Sequence, residues 1–217
     1  VEVVSTEVAG DWADRWRAFH RPLVIEGPAS GTRIWLRPPW EPEREGEFEV
    51  VIDPGQAFGT GAHPTTRLCL EFLLGLVEDG EDGGELVDLG SGSGVLAIAA
   101  SKLGWGPVRG YDHEVAAVEA SVENAVVNGV DVRFERLDLK AGLPGLAPTT
   151  VANLTAPLLE MVALQMDPED LPARVICSGL LATERARVEK VFGRLGYESK
   201  AFREIENWGG LLLEPGS

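Results

Sequence analysis

The chain has 217 residues, 44% hydrophobic and 25% charged, with a mean hydropathy close to zero. That composition excludes a disordered or collagen-like chain and supplies enough apolar material for a sizeable core, as one domain with an appendage or as two small ones. Nineteen basic against thirty-five acidic residues give a net charge of −16 and a pI near 4.6, a surface that disfavours direct nucleic-acid contact and suits a cationic partner.

The opening VEVVSTEVAG has neither a basic nor an apolar stretch, so no signal peptide is read, and no run of eighteen apolar residues predicts a membrane span. The chain starts with Val1 rather than Met, as a processed chain or a piece of a longer one does. Trp12, Trp16 and Phe19 fall at i, i+4 and i+7, one face of a short helix. Residues 32–38 (TRIWLRP) predict a strand closed by Pro38 and Pro39. The run from Glu41 to Glu49, with five glutamates and one arginine, predicts a solvated loop.

From Pro64 onward strands and helices alternate. A helix is expected from Pro64 to about Val77, a buried strand at ELVDLG, and a helix ended by Gly104. A second strand at VRGYD leads to a helix from Glu114 to Asn128 capped by Gly129, and a third strand at VRFERLD. Strands at TVANL and ARVICSG flank a helix over 156–166, and a helix from Thr183 to Leu195 takes Thr183 as N-cap. The tail reads as two strands with no helix between them, hence an antiparallel hairpin at one sheet edge. The whole predicts an α/β, doubly wound, mostly parallel sheet with right-handed crossovers.

The sharpest motif is Val87-Asp88-Leu89-Gly90-Ser91-Gly92-Ser93-Gly94. Glycines directly after a buried strand let backbone approach a ligand closely, at the carboxyl edge of the sheet where such folds bind. Asp112 ends the next strand, placed to accept from ribose hydroxyls. Gly92-x-Gly94-x-x-Ala97 satisfies a dinucleotide pattern, which would make the chain an NAD-binding oxidoreductase. The same loop fits the D-x-G-x-G-x-G of S-adenosylmethionine sites, and Asp88 favours this reading because a carboxylate suits a methionine ammonium group and sits badly beside a pyrophosphate. Two further strings stand out. Residues 53–66 (DPGQAFGTGAHPTT) form a polar, glycine-rich run ending at a helix start, where His63 alone reads as a structural hydrogen-bonder. Asn153 leaves a buried strand at the ligand edge, an expensive place for an amide that is not used.

Taken together, DPGQAFGTGAHPTT, VDLGSGSGVLAIAA, GYD with NAVVNGV, and ANLTAPL closely resemble the bacterial methyltransferases that modify large-subunit ribosomal protein eleven. The resemblance runs from about Trp12 to the C-terminus. It implies a Rossmann-like class I methyltransferase with a seven-stranded, mostly parallel, doubly wound sheet and a C-terminal antiparallel hairpin. It implies trimethylation of lysine side-chain and N-terminal amino groups, with S-adenosylmethionine consumed and S-adenosylhomocysteine released. By position, Thr66, Gly90, Asp112 and Asn153 would bind the cofactor, Phe58, Thr60 and Gly92 would line the same pocket, and Asp138 would lie near the adenine. His113 stands where the family has an aliphatic residue, near the adenine face; Ala62 and Ser91 also depart from the usual pattern. The family carries an N-terminal domain that docks its substrate, and this chain starts near the linker that follows it. Residues 1–49 are therefore expected to be linker and extension, and 50–217 the methyltransferase domain.

Methyl transfer asks the enzyme to position a neutral amine, and Asn153 is the residue expected to orient it. Trp208 either walls the amine or packs in the core. Another protein or a small amine is the alternative substrate. Cys69 and Cys177 read as inert and fit a cytoplasmic chain, and no metal-ligand spacing occurs among three histidines and two cysteines.

Overall fold

The computed structural model describes residues 21–29, 31–44, 48–54 and 61–216. The expected helix carrying Trp12, Trp16 and Phe19 lies outside them. Among the described residues, β1 (Leu23–Glu26), β2 (Arg33–Arg37) and β3 (Phe48–Val51) make a small sheet, with β1 antiparallel and β3 parallel to β2. The main sheet contains β4 (Leu86–Leu89), β5 (Val108–Asp112), β6 (Val132–Arg136), β7 (Thr149–Asn153), β8 (Arg174–Leu181), β9 (Tyr197–Ile205) and β10 (Trp208–Pro215). Its spatial order is β6-β5-β4-β7-β8-β10-β9, parallel except for β10, which runs antiparallel to both neighbours. Among the described residues the helices are α1 (Pro64–Glu78), α2 (Val95–Leu103), α3 (Val115–Asn128), α4 (Ala156–Gln165) and α5 (Arg185–Gly193).

This is the expected doubly wound sheet with a closing hairpin. Covering both faces buries all four residues of β4, as a parallel central strand requires. Alternate side chains then join opposite cores. Leu86 packs in the cluster that holds Leu70, Leu73, Ile98 and Ala125, while Val87 and Leu89 pack with Leu159, Val162, Val188 and Phe192. The β9–β10 turn is Glu206-Asn207 with φ of 52° and 69°, the paired positive values that match the twist of a tight hairpin.

Three expectations change. The acidic run does not stay a loop to Glu49: β3 begins at Phe48, and Glu49 receives the Arg37 guanidinium Nε at 2.7 Å. Arg37 is only 7% exposed, and its other contacts include the Glu41 carbonyl at 2.8 Å, so charge pairing pulls an acidic strand into register. β1 was not expected, because four residues carry too little periodicity to register. Thr183 does not cap the last helix: residues Ala182–Glu184 form a 3-10 turn, α5 starts at Arg185, and Glu184 accepts from the Leu181 N–H at 2.9 Å.

Candidate cofactor and amine site

The parallel strands aim their carboxyl ends at one edge, and the chain leaves β4, β5, β6 and β7 there in sharp turns. Between those turns lies a cavity of about 420 Å³, within the range of small-molecule sites. Gly90 and Gly92 line it from the β4–α2 loop, Asp112 and His113 from the end of β5, Asp138 from beyond β6, and Asn153 from the end of β7. Six expected site residues, distant in sequence, therefore meet around one space.

Asp112 is the best-anchored of them. Its Oδ2 accepts from the Gly92 N–H at 2.9 Å and its Oδ1 from the Glu114 N–H at 3.0 Å. The His113 Nδ1 lies 3.3 Å from Oδ1, and the His113 ring is 68% exposed. Asp138 spends Oδ1 on the Lys140 N–H at 2.9 Å, an Asx turn that fixes the chain beyond β6. Asn153 donates from Nδ2 to the Thr66 hydroxyl at 3.3 Å. Gly90 has φ 77°, and a Cβ there would lie 2.6 Å from Leu154 Cδ2, so only glycine lets the loop pass so close to the cavity wall.

Other expected residues are placed differently. Thr66 is fully buried and stands behind Asn153 rather than in the cavity wall. Asp88 is also fully buried and is not among the cavity-lining residues. It points toward the α1–α2 side because it shares the Leu86 face of β4. Among the described residues no group makes a well-formed hydrogen bond to either oxygen. Burial pushes the carboxyl up to about 7; the Ala97 backbone N–H offsets part of this, and the Asp112 charge adds to it. Phe58 and Thr60 lie outside the described residues. His63 caps α1, its Nδ1 accepting from the Thr65 N–H at 3.3 Å, and its ring meets Trp208 edge-on at 4.9 Å.

Sequence reasoning missed the apolar walls. Leu137, Leu139, Leu154 and Leu158 line the cavity with Tyr111 and Lys140. The alternation Leu137-Asp138-Leu139 after β6 is the signal that could have found two of them. Among the described residues no cluster of His, Cys, Asp or Glu is arranged to hold a metal, and no helix is long and apolar enough to cross a membrane.

A seven-stranded sheet in this order, with a ligand cavity between a glycine loop and the acid that ends the next strand, is the class I methyltransferase fold. The family described as ribosomal protein L11 methyltransferase (PrmA) matches residues 2–214, and the chain belongs to that family. The ribosomal protein L11 methyltransferase of an Exiguobacterium species is 34% identical over 214 residues; the match covers 95% of this chain and 65% of that protein, so the chain spans just under two thirds of that relative's length. The crystal structure of a ribosomal protein L11 methylase from Lactobacillus delbrueckii subsp. bulgaricus superposes with a TM-score of 0.75 at 26% identity, covering 91% of this chain and 100% of that one. A magnesium protoporphyrin IX methyltransferase from Synechocystis shares the fold at 20% identity and a TM-score of 0.53, covering 70% of this chain and 82% of its own.

Proposed function

We propose that the chain is the catalytic part of an S-adenosylmethionine-dependent enzyme that N-methylates lysine side-chain and N-terminal amino groups of ribosomal protein L11 in the cytoplasm. The observation that carries this reading is the convergence of Gly92, Asp112, Asp138 and Asn153 on one cavity in a chain of this family. Residues 50–217 form the methyltransferase domain and 1–49 the extension leading into it, with β3 at the seam.

The residues present fit the cofactor. Asp112 offers a carboxylate, already steadied by two backbone amides, to a ribose diol. Leu137, Leu139, Leu154 and Leu158 offer apolar surface to the adenine and the thioether chain, with Asp138 and His113 at the adenine end. Gly90 and Gly92 bring backbone close to the amino-acid portion, Phe58 and Thr60 complete the binding set, and Thr66 acts from behind through Asn153. When bound, S-adenosylmethionine supplies an electrophilic methyl group on a positively charged sulfur.

The remaining work falls to this chain's own side chains. A lysine amine, of pKa about 10.4 in water, must reach the cavity neutral, and an apolar wall disfavours its ammonium form. Asn153 is the catalytic residue: with Nδ2 held by Thr66, its carbonyl oxygen would accept an amine hydrogen and so orient the nitrogen lone pair for in-line attack. The released proton passes to water. A net charge of −16 favours the approach of a cationic protein by steering rather than by affinity.

Titration calorimetry of the full chain with S-adenosylmethionine, S-adenosylhomocysteine and NAD tests the cofactor, and NAD binding alone would overturn the reading. Mass spectrometry of L11 after incubation tests the substrate. No added methyl mass, with cofactor still bound, would leave a methyltransferase acting on another protein or a small amine.

A further inference from the structure

Two asparagines one turn apart on α3 bind backbone, and they do so differently. Asn128 closes a two-point clasp on β3, its Oδ1 accepting from the Val51 N–H at 2.9 Å and its Nδ2 donating to the Val51 carbonyl at 2.6 Å. Asn124, only 3% exposed, spans two separate segments. Its Oδ1 accepts from the Asp53 N–H at 3.1 Å, and its Nδ2 donates to the Ser93 carbonyl at 2.9 Å. Ser93 lies between Gly92 and Gly94 in the glycine loop, and Asp53 opens the polar string that ends at Thr66.

The loop is held from both sides. Gly94 backs onto α3 and β6 so tightly that a Cβ there would stand 2.9 Å from Ser121 Cβ and 2.8 Å from the Phe134 ring. On the cavity side, the Gly92 N–H is aimed at Asp112 Oδ2. A carbonyl at Ser93 left without that donor would turn, and with it the Gly94 N–H that shares its peptide plane and donates to the Ser91 carbonyl at 2.8 Å, loosening the Ser91–Gly94 turn that carries the Gly92 amide.

We propose that Asn124 is a positioning residue for the cofactor cavity: through Ser93 it sets the Gly92 amide against Asp112, and through Asp53 it ties the same loop to the segment that leads into α1. Asn128 clasps the end of β3 and donates to the Asn124 carbonyl at 2.8 Å without touching the glycine loop, and is the structural counterpart. The inference rests on the S-adenosyl reading of the cavity. Asparagine suits the task because its short carboxamide donates and accepts at once; aspartate keeps the acceptor for Asp53 and loses the donor for Ser93.

The test compares Asn124→Ala, Asn124→Asp and Asn128→Ala in the full chain by melting temperature and by calorimetry with S-adenosylhomocysteine. All three are expected to melt lower than the parent. Both Asn124 variants should bind the ligand about tenfold more weakly, the equivalent of one net hydrogen bond lost from the site, while Asn128→Ala binds as the parent does. Should Asn124→Ala fail to fold, Asn124→Asp carries the comparison. Equal affinities in Asn124 and Asn128 variants, at whatever level, would overturn the assignment and leave Asn124 a packing residue. A parent protein that binds no S-adenosylhomocysteine would instead sink the reading of the cavity itself, so the two failures are distinguishable.

Discussion

The Asp112 carboxylate and the Gly92 backbone N–H, twenty residues apart in the chain, are 2.9 Å apart across the mouth of the cavity. The bond locks the acid that ends β5 to the loop that ends β4, so the cavity has a preset rim. A site assembled before its ligand arrives loses less entropy on binding.

Asp112→Ala removes that bond together with the acceptor offered to the ribose. Hydrogen bonds to a charged group are worth roughly 1.5–3 kcal/mol each, so affinity for S-adenosylhomocysteine should fall by at least about tenfold. Calorimetry decides it. An unchanged dissociation constant would remove Asp112 from the ribose assignment.

Thr66 and Asn153 make the second long-range pair. Thr66→Val keeps the shape and deletes the hydroxyl that accepts from Asn153 Nδ2. The methyl-transfer kcat is expected to drop while cofactor affinity moves little, because the amide is misaimed and the cavity wall is intact. Asn153→Ala should cost more. In a double-mutant cycle the two losses should not add, since both act through one amide. Additive effects would show that Thr66 does not work through Asn153.

A third prediction concerns the seam between the two sheets. The Glu78 carboxylate, at the end of α1, accepts from the backbone N–H groups of Ala29, Gly31 and Thr32 at 2.7, 3.0 and 3.1 Å. These amides, Ala29 foremost, hold its pKa below the usual value. A depressed folded pKa contributes stability that is present above the unfolded value and lost as pH falls through the folded one. Glu78→Gln should therefore melt lower than the parent at pH 7, with the gap narrowing as the pH is taken down through the carboxylate range. A constant gap across that range would contradict the charge-based account.

Much of the site was legible because it is local. The glycine run, Asp112 at the end of a strand and Asn153 leaving another are each declared by a few adjacent residues, and strand alternation carries them to one edge. What escaped depends on packing between distant segments. Nothing near Thr66 indicates that its hydroxyl meets Asn153, 87 residues on. The string NAVVNG shows two asparagines without showing that one clasps Val51 and the other bridges Asp53 and Ser93. Asp88 shows a related limit: its residue type says nothing of its burial, which strand parity sets by placing it on the Leu86 face of β4. The four residues of β1 and the acidic start of β3 were missed because their pairing depends on β2 and on Arg37, not on their own composition.

Asp88 supplies the last prediction. With the folded pKa pushed up to about 7 and an unfolded value near 3.9, the native state binds more protons than the unfolded one between those limits. Stability must then fall as pH rises across that window, the reverse of the Glu78 case, and the full penalty persists above about pH 7. Three pK units correspond to something on the order of 4 kcal/mol, an upper bound because the interior relaxes around a charge. Asp88→Asn has nearly the same shape and cannot ionise. Its melting temperature should exceed the parent's at pH 8, and the difference should shrink steadily as the pH falls from about 7 toward the unfolded value near 3.9, below which the parent carboxyl is protonated in both states. Melts across that range measure it directly. A difference independent of pH would mean that Asp88 is not the titrating group and that its charge is accommodated in the core after all.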